Sequence, residues 1–304
     1  MADKGVRFRT HRMIIRLFQA GLCCAAAGVL LMGCREKKVH SEEIVKTSIF
    51  SWDDMYIYPD QEAQVSEVME KLGCAAVYQE FPQDIDEEIV LDYLKRRSSR
   101  KQDVYYLTGA PQWGIEEHAK SMLEQVKRVC RLNKKAEKGS QFAGIVWDVE
   151  PYLTEEWDTQ PDQTMEQYVK NCKTAYREAA DNGLHIIVCI PNFYDKKGYE
   201  KELADLTENA CDALAVMNYN KEDEAGQIRK EVELAETYGK GIIHIAELQK
   251  PGYHELIEKN TYYYDGIDAV KASFKELKKE FNYSGMGFSW HYMQPAVELL
   301  EREQ

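Results

Sequence analysis

Two carboxylates stand two residues apart, Asp148 and Glu150, directly after the apolar run Gly144-Ile145-Val146-Trp147 and before Pro151. In an extended strand alternate side chains share a face, so Val146, Asp148 and Glu150 project one way and Ile145, Trp147 and Val149 the other. Such a pair lies roughly 6 to 7 Å apart along the strand. When both carboxyls are ionised they repel, and the pKa of one rises. A carboxyl that keeps its proton near neutral pH can act as a general acid. The bland alternative is a solvated pair, or one bound to a neighbouring Lys or Arg. The position of Glu150 at the exit of the strand favours chemistry.

The elements that would hold this pair repeat along the chain. Short runs rich in branched and aromatic residues alternate with longer segments of helical period, as in a parallel sheet built from βα units. Eight strands are predicted: 47–52, 74–81, 103–109, 142–150, 184–192, 213–219, 241–247 and 285–291. Amphipathic helices are predicted between them, among them 115–136, with Met122, Val126 and Cys130 on one face, and 164–183, closed by a glycine; a last helix covers 295–303. Eight pairs in about 260 residues match the size of a single (β/α)8 TIM barrel, an α/β fold. No Pro-rich or Gly/Ser-rich linker divides the region, so one domain over 47–304 is preferred to two. An open doubly wound sheet is the competing fold, but no strand leads into a GxGxxG turn or a P-loop, and no nucleotide or other cofactor is expected.

A barrel keeps its chemistry at the C-terminal ends of its strands. Those ends carry Trp52, Tyr78, Trp113, Asp148 with Glu150, Asn192, Tyr219 with Asn220, Glu247, and Trp290 with His291. Aromatic faces stack on the C–H faces of sugar rings, while carboxylates and amides bond hydroxyls, so the ensemble suits a carbohydrate. Any one aromatic residue could equally be core. Trp147 is expected to face a helix, His244 to line the barrel as a satisfied core residue, and His291 to offer a bond to a sugar. The segment 248–266 after the seventh strand is long for a βα connection and rich in Tyr, as a cleft wall or lid would be.

The stretch Ala143-Gly144-Ile145-Val146-Trp147-Asp148-Val149-Glu150 resembles the DGxDxDxE of family 18 glycoside hydrolases, the chitinases and endo-β-N-acetylglucosaminidases. The last Asp and the Glu match, whereas Ala143 and Val146 replace the two earlier Asp residues. Met217-Asn218-Tyr219-Asn220 resembles that family's M-x-Y-D, with Asn220 in place of its Asp, and Gly287-Phe288-Ser289-Trp290 resembles its eighth strand, which ends in a tryptophan under the substrate. The resemblance implies substrate-assisted retention, an exception to the two-carboxylate scheme. Glu150 would be acid and then base, Asp148 would orient the 2-acetamido group, Tyr219 would bond its carbonyl, and Trp290 would floor the cleaved subsite. Val146 leaves Asp148 without the inward Asp that shares its proton in the family. Two other readings follow: a barrel that binds glycan without cleaving it, and a retaining glycosidase using Glu150 and Glu247, which would then stand about 5 to 5.5 Å apart. The D-x-E also resembles family 25 muramidases, whose first-strand Asp motif is missing here.

The formal charge of −13 is unevenly spread. Residues 1–33 hold five basic residues and one acid, so the acidity belongs to the remainder. A surface of that sign is repelled by phosphate backbones, which argues against nucleic acid as a partner. The apolar run 17–33 is shorter than the roughly 20 residues that comfortably span a bilayer and reads as the core of a secretory signal. It ends in Leu31-Met32-Gly33-Cys34, which resembles the bacterial lipobox, so 1–33 is expected to be removed and Cys34 lipidated, with 34–46 as a polar tether on a cell-surface lipoprotein. The cysteines that remain, Cys74, Cys130, Cys172, Cys189 and Cys211, are odd in number and lack metal-ligand spacing; neither a disulfide framework nor a metal site is expected. Oligomeric state is not legible.

Overall fold

In the computed structural model, which describes residues 44–303, eight parallel strands close into a barrel, each hydrogen-bonded to its neighbours in sequence and the eighth to the first. The strands are β1 (Ser48–Ser51), β2 (Ala76–Glu80), β3 (Asp103–Thr108), β4 (Gly144–Trp147), β5 (His185–Pro191), β6 (Ala213–Met217), β7 (Gly241–Glu247) and β8 (Met286–His291). The outer helices are α1 (Glu62–Leu72), α2 (Glu87–Ser99), α3 (Lys120–Lys135), α4 (Glu155–Thr159), α5 (Pro161–Asp181), α6 (Glu200–Asn209), α7 (Glu224–Tyr238), α8 (Ile267–Phe281) and α9 (Met293–Arg302). The expected single (β/α)8 barrel is therefore what forms. The signal at 1–33, the lipidated Cys34 and most of the tether lie outside the described residues. Among the described residues no helix is long and apolar enough to cross a membrane.

Local chemistry sets the helix ends. Asp86 caps α2 by accepting the Glu88 N–H at 3.0 Å, and Asp223 caps α7 by accepting that of Gly226 at 3.1 Å. The expected glycine after α5 is Gly183, whose φ of 72° carries the chain in the left-handed region. Strand β4 is shorter than predicted. Asp148 still donates its N–H to Thr108 at 3.0 Å, but Glu150 turns out of the ladder ahead of Pro151, which has no N–H to give.

The lumen is filled by Phe50, Tyr78, Tyr105, Leu107, Val146, Ile187, Cys189, Ile243 and Ile245. Phe50, Tyr78 and Tyr105 meet edge to face at 5.1 and 5.5 Å, and the space they take is balanced by Ala213 and Ala215 on β6. Ile44 and Val45, read from sequence as the end of the tether, belong to this inner packing, so the barrel begins before residue 47. Trp147 faces the helices, as expected, with Ile145 and Val149.

Two expectations are overturned by strand alternation. On β8 the inward residues are Gly287, Ser289 and His291, so Trp290 points outward; it is 1% exposed and packs against Phe274 of α8 at 5.2 Å, where no sugar can reach it. On β7, Ile243, Ile245 and Glu247 point inward, so His244 does not line the lumen. It lies in the outer layer between Phe274 and Phe288, with its Nε2 3.3 Å from Glu224 and its Nδ1 3.2 Å from the Asn218 amide.

Two positions in this framework make measurable predictions. Gly109 follows β3 where the Asp148 backbone presses against it, and a β-carbon there would overlap the Asp148 carbonyl. Gly109→Ala should lower stability by about 1 to 3 kcal/mol, read as a lower urea midpoint; an unchanged midpoint would refute the close approach. Glu231 of α7 is 0% exposed, neither carboxyl oxygen has a partner beyond its own backbone, and burial pushes its pKa from 4.5 to about 7. A raised folded-state value means that its contribution is complete below pH 4.5 and is lost as the pH rises through about 7. Glu231→Gln should therefore raise Tm at pH 8, by the equivalent of about 3 kcal/mol at most, and change it little at pH 4.5.

Candidate active site

Alternation along β4 carries Val146, then Asp148, then Glu150 up the inner wall to the mouth of the barrel. Beneath Asp148 the wall is apolar, made by Val146 and the Cys189 thiol of β5. Burial pushes the Asp148 carboxyl up to about 7, with the Glu150 charge adding to the rise; the His291 charge and a hydrogen bond from Cys189 oppose it. The mutual repulsion expected from the i, i+2 spacing is thus present, and the carboxyl it raises is Asp148. The hydroxyl of Tyr152, one residue past Pro151, donates to Glu150 Oε2. Burial and the Glu150 charge push the Tyr152 phenol up, which keeps it a donor.

Across the mouth, β7 and β8 place Glu247 opposite His291 in register. Glu247 is 2% exposed. Its Oε1 accepts the N–H groups of Leu248 at 2.9 Å and Gln249 at 2.7 Å, and its Oε2 lies 2.7 Å from His291 Nδ1. Both oxygens of Glu247 are thus held, one by two backbone N–H groups and the other by the imidazole. It serves His291. Burial opposes the charge on that imidazole, but Glu247 together with Asp148 and Glu150 outweighs it, so the His291 pKa lies above its usual 6.5.

Tyr219 follows β6, its ring 5.8 Å from that of His291. Burial, then the charges of Glu247 and Asp148, push its phenol well above the usual value, so it too remains a donor. The long segment after β7 supports it from behind: the Asn260 amide donates to the Tyr219 carbonyl at 2.6 Å, and Lys221 N–H donates to Lys259 at 2.9 Å. Trp52 completes the wall, half-buried beside Phe50, with its indole nitrogen 3.4 Å from His291 Nε2.

Of the residues singled out from sequence, Asp148, Glu150, Tyr219 and Trp52 come together with Glu247 and His291. Others do not. Tyr78 points inward but sits in the sealed interior, 0% exposed, between Phe50 and Tyr105; the residue that β2 brings to its end is Glu80. Trp113 lies in a turn after β3 and meets Trp147 on the outer side of the sheet at 6.5 Å. Asn192 is turned toward α7, donating to Gln227 and, at 3.4 Å, to Asn218. Asn220 shapes the turn after Tyr219 by accepting the Glu222 N–H at 3.2 Å. Tyr152 and the thiol of Cys189 went unread: the one follows a proline turn, and the other resembles any small buried residue of a strand. Among the described residues, no cluster of His, Cys, Asp and Glu could hold a metal ion.

No protein-family model and no curated protein matches the sequence. Solved structures do share its fold. The spore cortex-lytic enzyme SleL of Bacillus megaterium aligns with a TM-score of 0.54 at 12% identity, over 85% of this chain and 73% of its own. A chitinase of Chromobacterium violaceum aligns at 0.52 with 13% identity, over 84% and 98%. A GH18 chitinase variant of Cycas revoluta, in complex with (GlcNAc)4, aligns at 0.51 with 10% identity, over 83% and 96%. The chain has a GH18-like TIM-barrel fold.

Proposed function

We propose that the protein is a glycoside hydrolase that cleaves a glycan containing N-acetylglucosamine, with retention, using the substrate's own 2-acetamido group as nucleophile. The observation that carries this reading is the inward Asp148–Glu150 pair at the exit of β4, facing Tyr219 across the mouth. Glu150 gives its proton to the glycosidic oxygen as the acetamido carbonyl oxygen bonds to the anomeric carbon and the leaving group departs. Asp148, ionised, faces the positive charge of the resulting oxazolinium. Tyr219 donates to the acetamido oxygen and aligns it. Water then enters, Glu150 takes its proton, and the hydroxyl adds where the acetamido oxygen leaves, so the original configuration returns. The engaged oxygens of Glu247 speak against a route in which that residue forms a covalent glycosyl-enzyme.

Two further features support a polymeric carbohydrate. Trp52 offers an aromatic face at the mouth, in the role that Trp290 cannot fill. The exposed large apolar residues among those described, Met55, Tyr58, Leu153, Tyr253, Ile257 and Tyr264, all lie in the segments after β1, β4 and β7, which rise around the mouth. The spore cortex-lytic and chitooligosaccharide-bound neighbours are consistent with such a substrate. The lipobox-like Leu31-Met32-Gly33-Cys34 supports export and a lipid anchor on Cys34, which would place the barrel at a bacterial cell surface.

Turnover of a chromogenic chitobioside tests the chemistry. Glu150→Gln should lower kcat by about 10²- to 10⁴-fold, and intact-mass measurement during turnover should find no sugar on the protein. A wild-type protein that binds chitooligosaccharides without cleaving them would replace the enzyme reading by the capture reading. For the anchor, Cys34→Ser should abolish incorporation of labelled palmitate and move the protein out of the membrane fraction; incorporation that survives the substitution would refute it.

A further inference from the structure

A carboxylic acid gives its proton from one oxygen, and Glu150 has two. The turn after β4 distinguishes them. Pro151–Leu153 form a single 3-10 turn, in which the Leu153 N–H donates to the Glu150 carbonyl at 3.0 Å and the Thr154 N–H to that of Pro151 at 3.1 Å. The turn folds Tyr152 back toward the side chain two residues before it, and its hydroxyl donates to Glu150 Oε2. The other oxygen, Oε1, takes no hydrogen bond among the described residues, and Glu150 is only half-buried.

Tyr152 is placed by more than this bond. Its ring meets Phe193 at 5.2 Å, Tyr194 at 6.4 Å and Trp157 of α4 at 6.4 Å, each nearly edge-on, and Tyr194 and Trp157 are themselves buried. Pro151 is seated against Gly114, where an added β-carbon would come within 2.9 Å of the proline ring, and the Asn171 amide of α5 holds the Gly114 carbonyl at 3.2 Å. This socket fixes the ring but does not call for the hydroxyl. A phenylalanine would fill the same space, so the phenol oxygen is explained by the carboxyl it bonds.

We propose that Tyr152 is the positioning residue of the acid: by holding Oε2 it leaves Oε1 to carry the proton that passes to the glycosidic oxygen. The proposal rests on the glycosidase reading. As the Oε1–H bond breaks, its electron pair stays on the carboxyl and the negative charge spreads over both oxygens, while the proton goes to the departing oxygen. A donor held by an anion is bound more strongly than one held by a neutral oxygen, so the bond from Tyr152 strengthens as that charge develops. It therefore favours the transition state over the bound substrate. Tyr152 keeps its own proton throughout, since burial and the Glu150 charge both oppose its loss. Its help is greatest where the leaving group most needs a proton.

The test varies the leaving group and keeps the sugar. Tyr152→Phe retains the ring in its socket and removes only the hydroxyl. On phenyl chitobioside, a poor leaving group, kcat/KM should fall by about ten- to a hundred-fold. On the 2,4-dinitrophenyl chitobioside, whose phenolate departs without a proton, it should fall by less than about three-fold. Losses of equal size on the two substrates would make Tyr152 a packing residue of the turn and overturn the proposal, with the glycosidase reading intact.

The contact itself is read without turnover. In protein carrying tyrosine labelled with 13C at Cζ, the Tyr152 signal, assigned from its absence in Tyr152→Phe, should move in Glu150→Ala. A signal that stays in place shows that the phenol does not bond Glu150 and overturns the proposal, whatever the protein cleaves. If it moves in a protein that cleaves no N-acetylglucosaminide, the glycosidase reading fails and the proton-placing role falls with it, while the contact stands.

Discussion

Closure of eight parallel strands imposes a two-residue alternation that no single strand can escape. Once Val146 packs in the lumen beside its register partners Leu107 and Ile187, Asp148 and Glu150 must rise along the same inner wall. The same rule lifts Glu247 and His291 into the mouth on the opposite side, and sends Trp147, His244 and Trp290 out to the helices. A shift of one residue in β8 would bring Trp290 to the mouth in place of His291, and one in β4 would turn Asp148 and Glu150 toward the helices. The aromatic interior of Phe50, Tyr78 and Tyr105 then serves as a dry floor, and a dry floor is what makes the ionisation of the groups above it sensitive to their neighbours.

That sensitivity is handled differently on the two sides of the mouth. Glu247 accepts two backbone N–H bonds and an imidazole, so its enclosure is matched by donors. Asp148 has a thiol and a more distant imidazole charge, and its carboxyl is pushed up toward neutrality. One barrel end thus holds two enclosed carboxyls with opposite tasks, one fixed in place as a support and one poised to change. On the Glu247 side the backbone supplies the match: β7 runs out into a segment whose first two N–H groups fold back on that carboxylate.

The strands were legible from their branched and aromatic runs, and each prediction meets its observed strand within a few residues. The inward set on β4 was legible as well, because Asp148 and Glu150 mark which face is wet. On β8 the reading failed where Trp290, a large residue near the strand end, was taken for a binding surface, and on β7 where His244 was taken to line the barrel. Phe288 and Trp290 share a face, as do Gly287, Ser289 and His291; bulk on the first face and smallness on the second point to helix packing outside and a crowded lumen inside. Tyr78 failed for another reason. Its side was right, but its depth is set by the stagger between neighbouring strands, which a single strand's sequence does not carry. The Glu247–His291 contact is of that kind too: 44 residues apart, it exists only through register.

Ala143, Val146 and Asn220 are where the chain departs from the family 18 pattern, and each exchange removes a carboxylate. His291, whose imidazole is biased toward its charged form by the carboxylates around it, stands in the same mouth. The mouth is therefore less negative than the pattern it resembles, which works against any step that builds positive charge on a bound sugar. A site with few negative groups can oppose that charge only if the one carboxylate beside it is ionised when the reaction occurs. Burial, with the Glu150 charge adding to it and the His291 charge and the Cys189 thiol opposing it, pushes the Asp148 carboxyl up to about 7. In the proposed mechanism, the ionisation of Asp148 is therefore the condition on which that step depends, and Val146 beneath it offers no hydrogen bond to help.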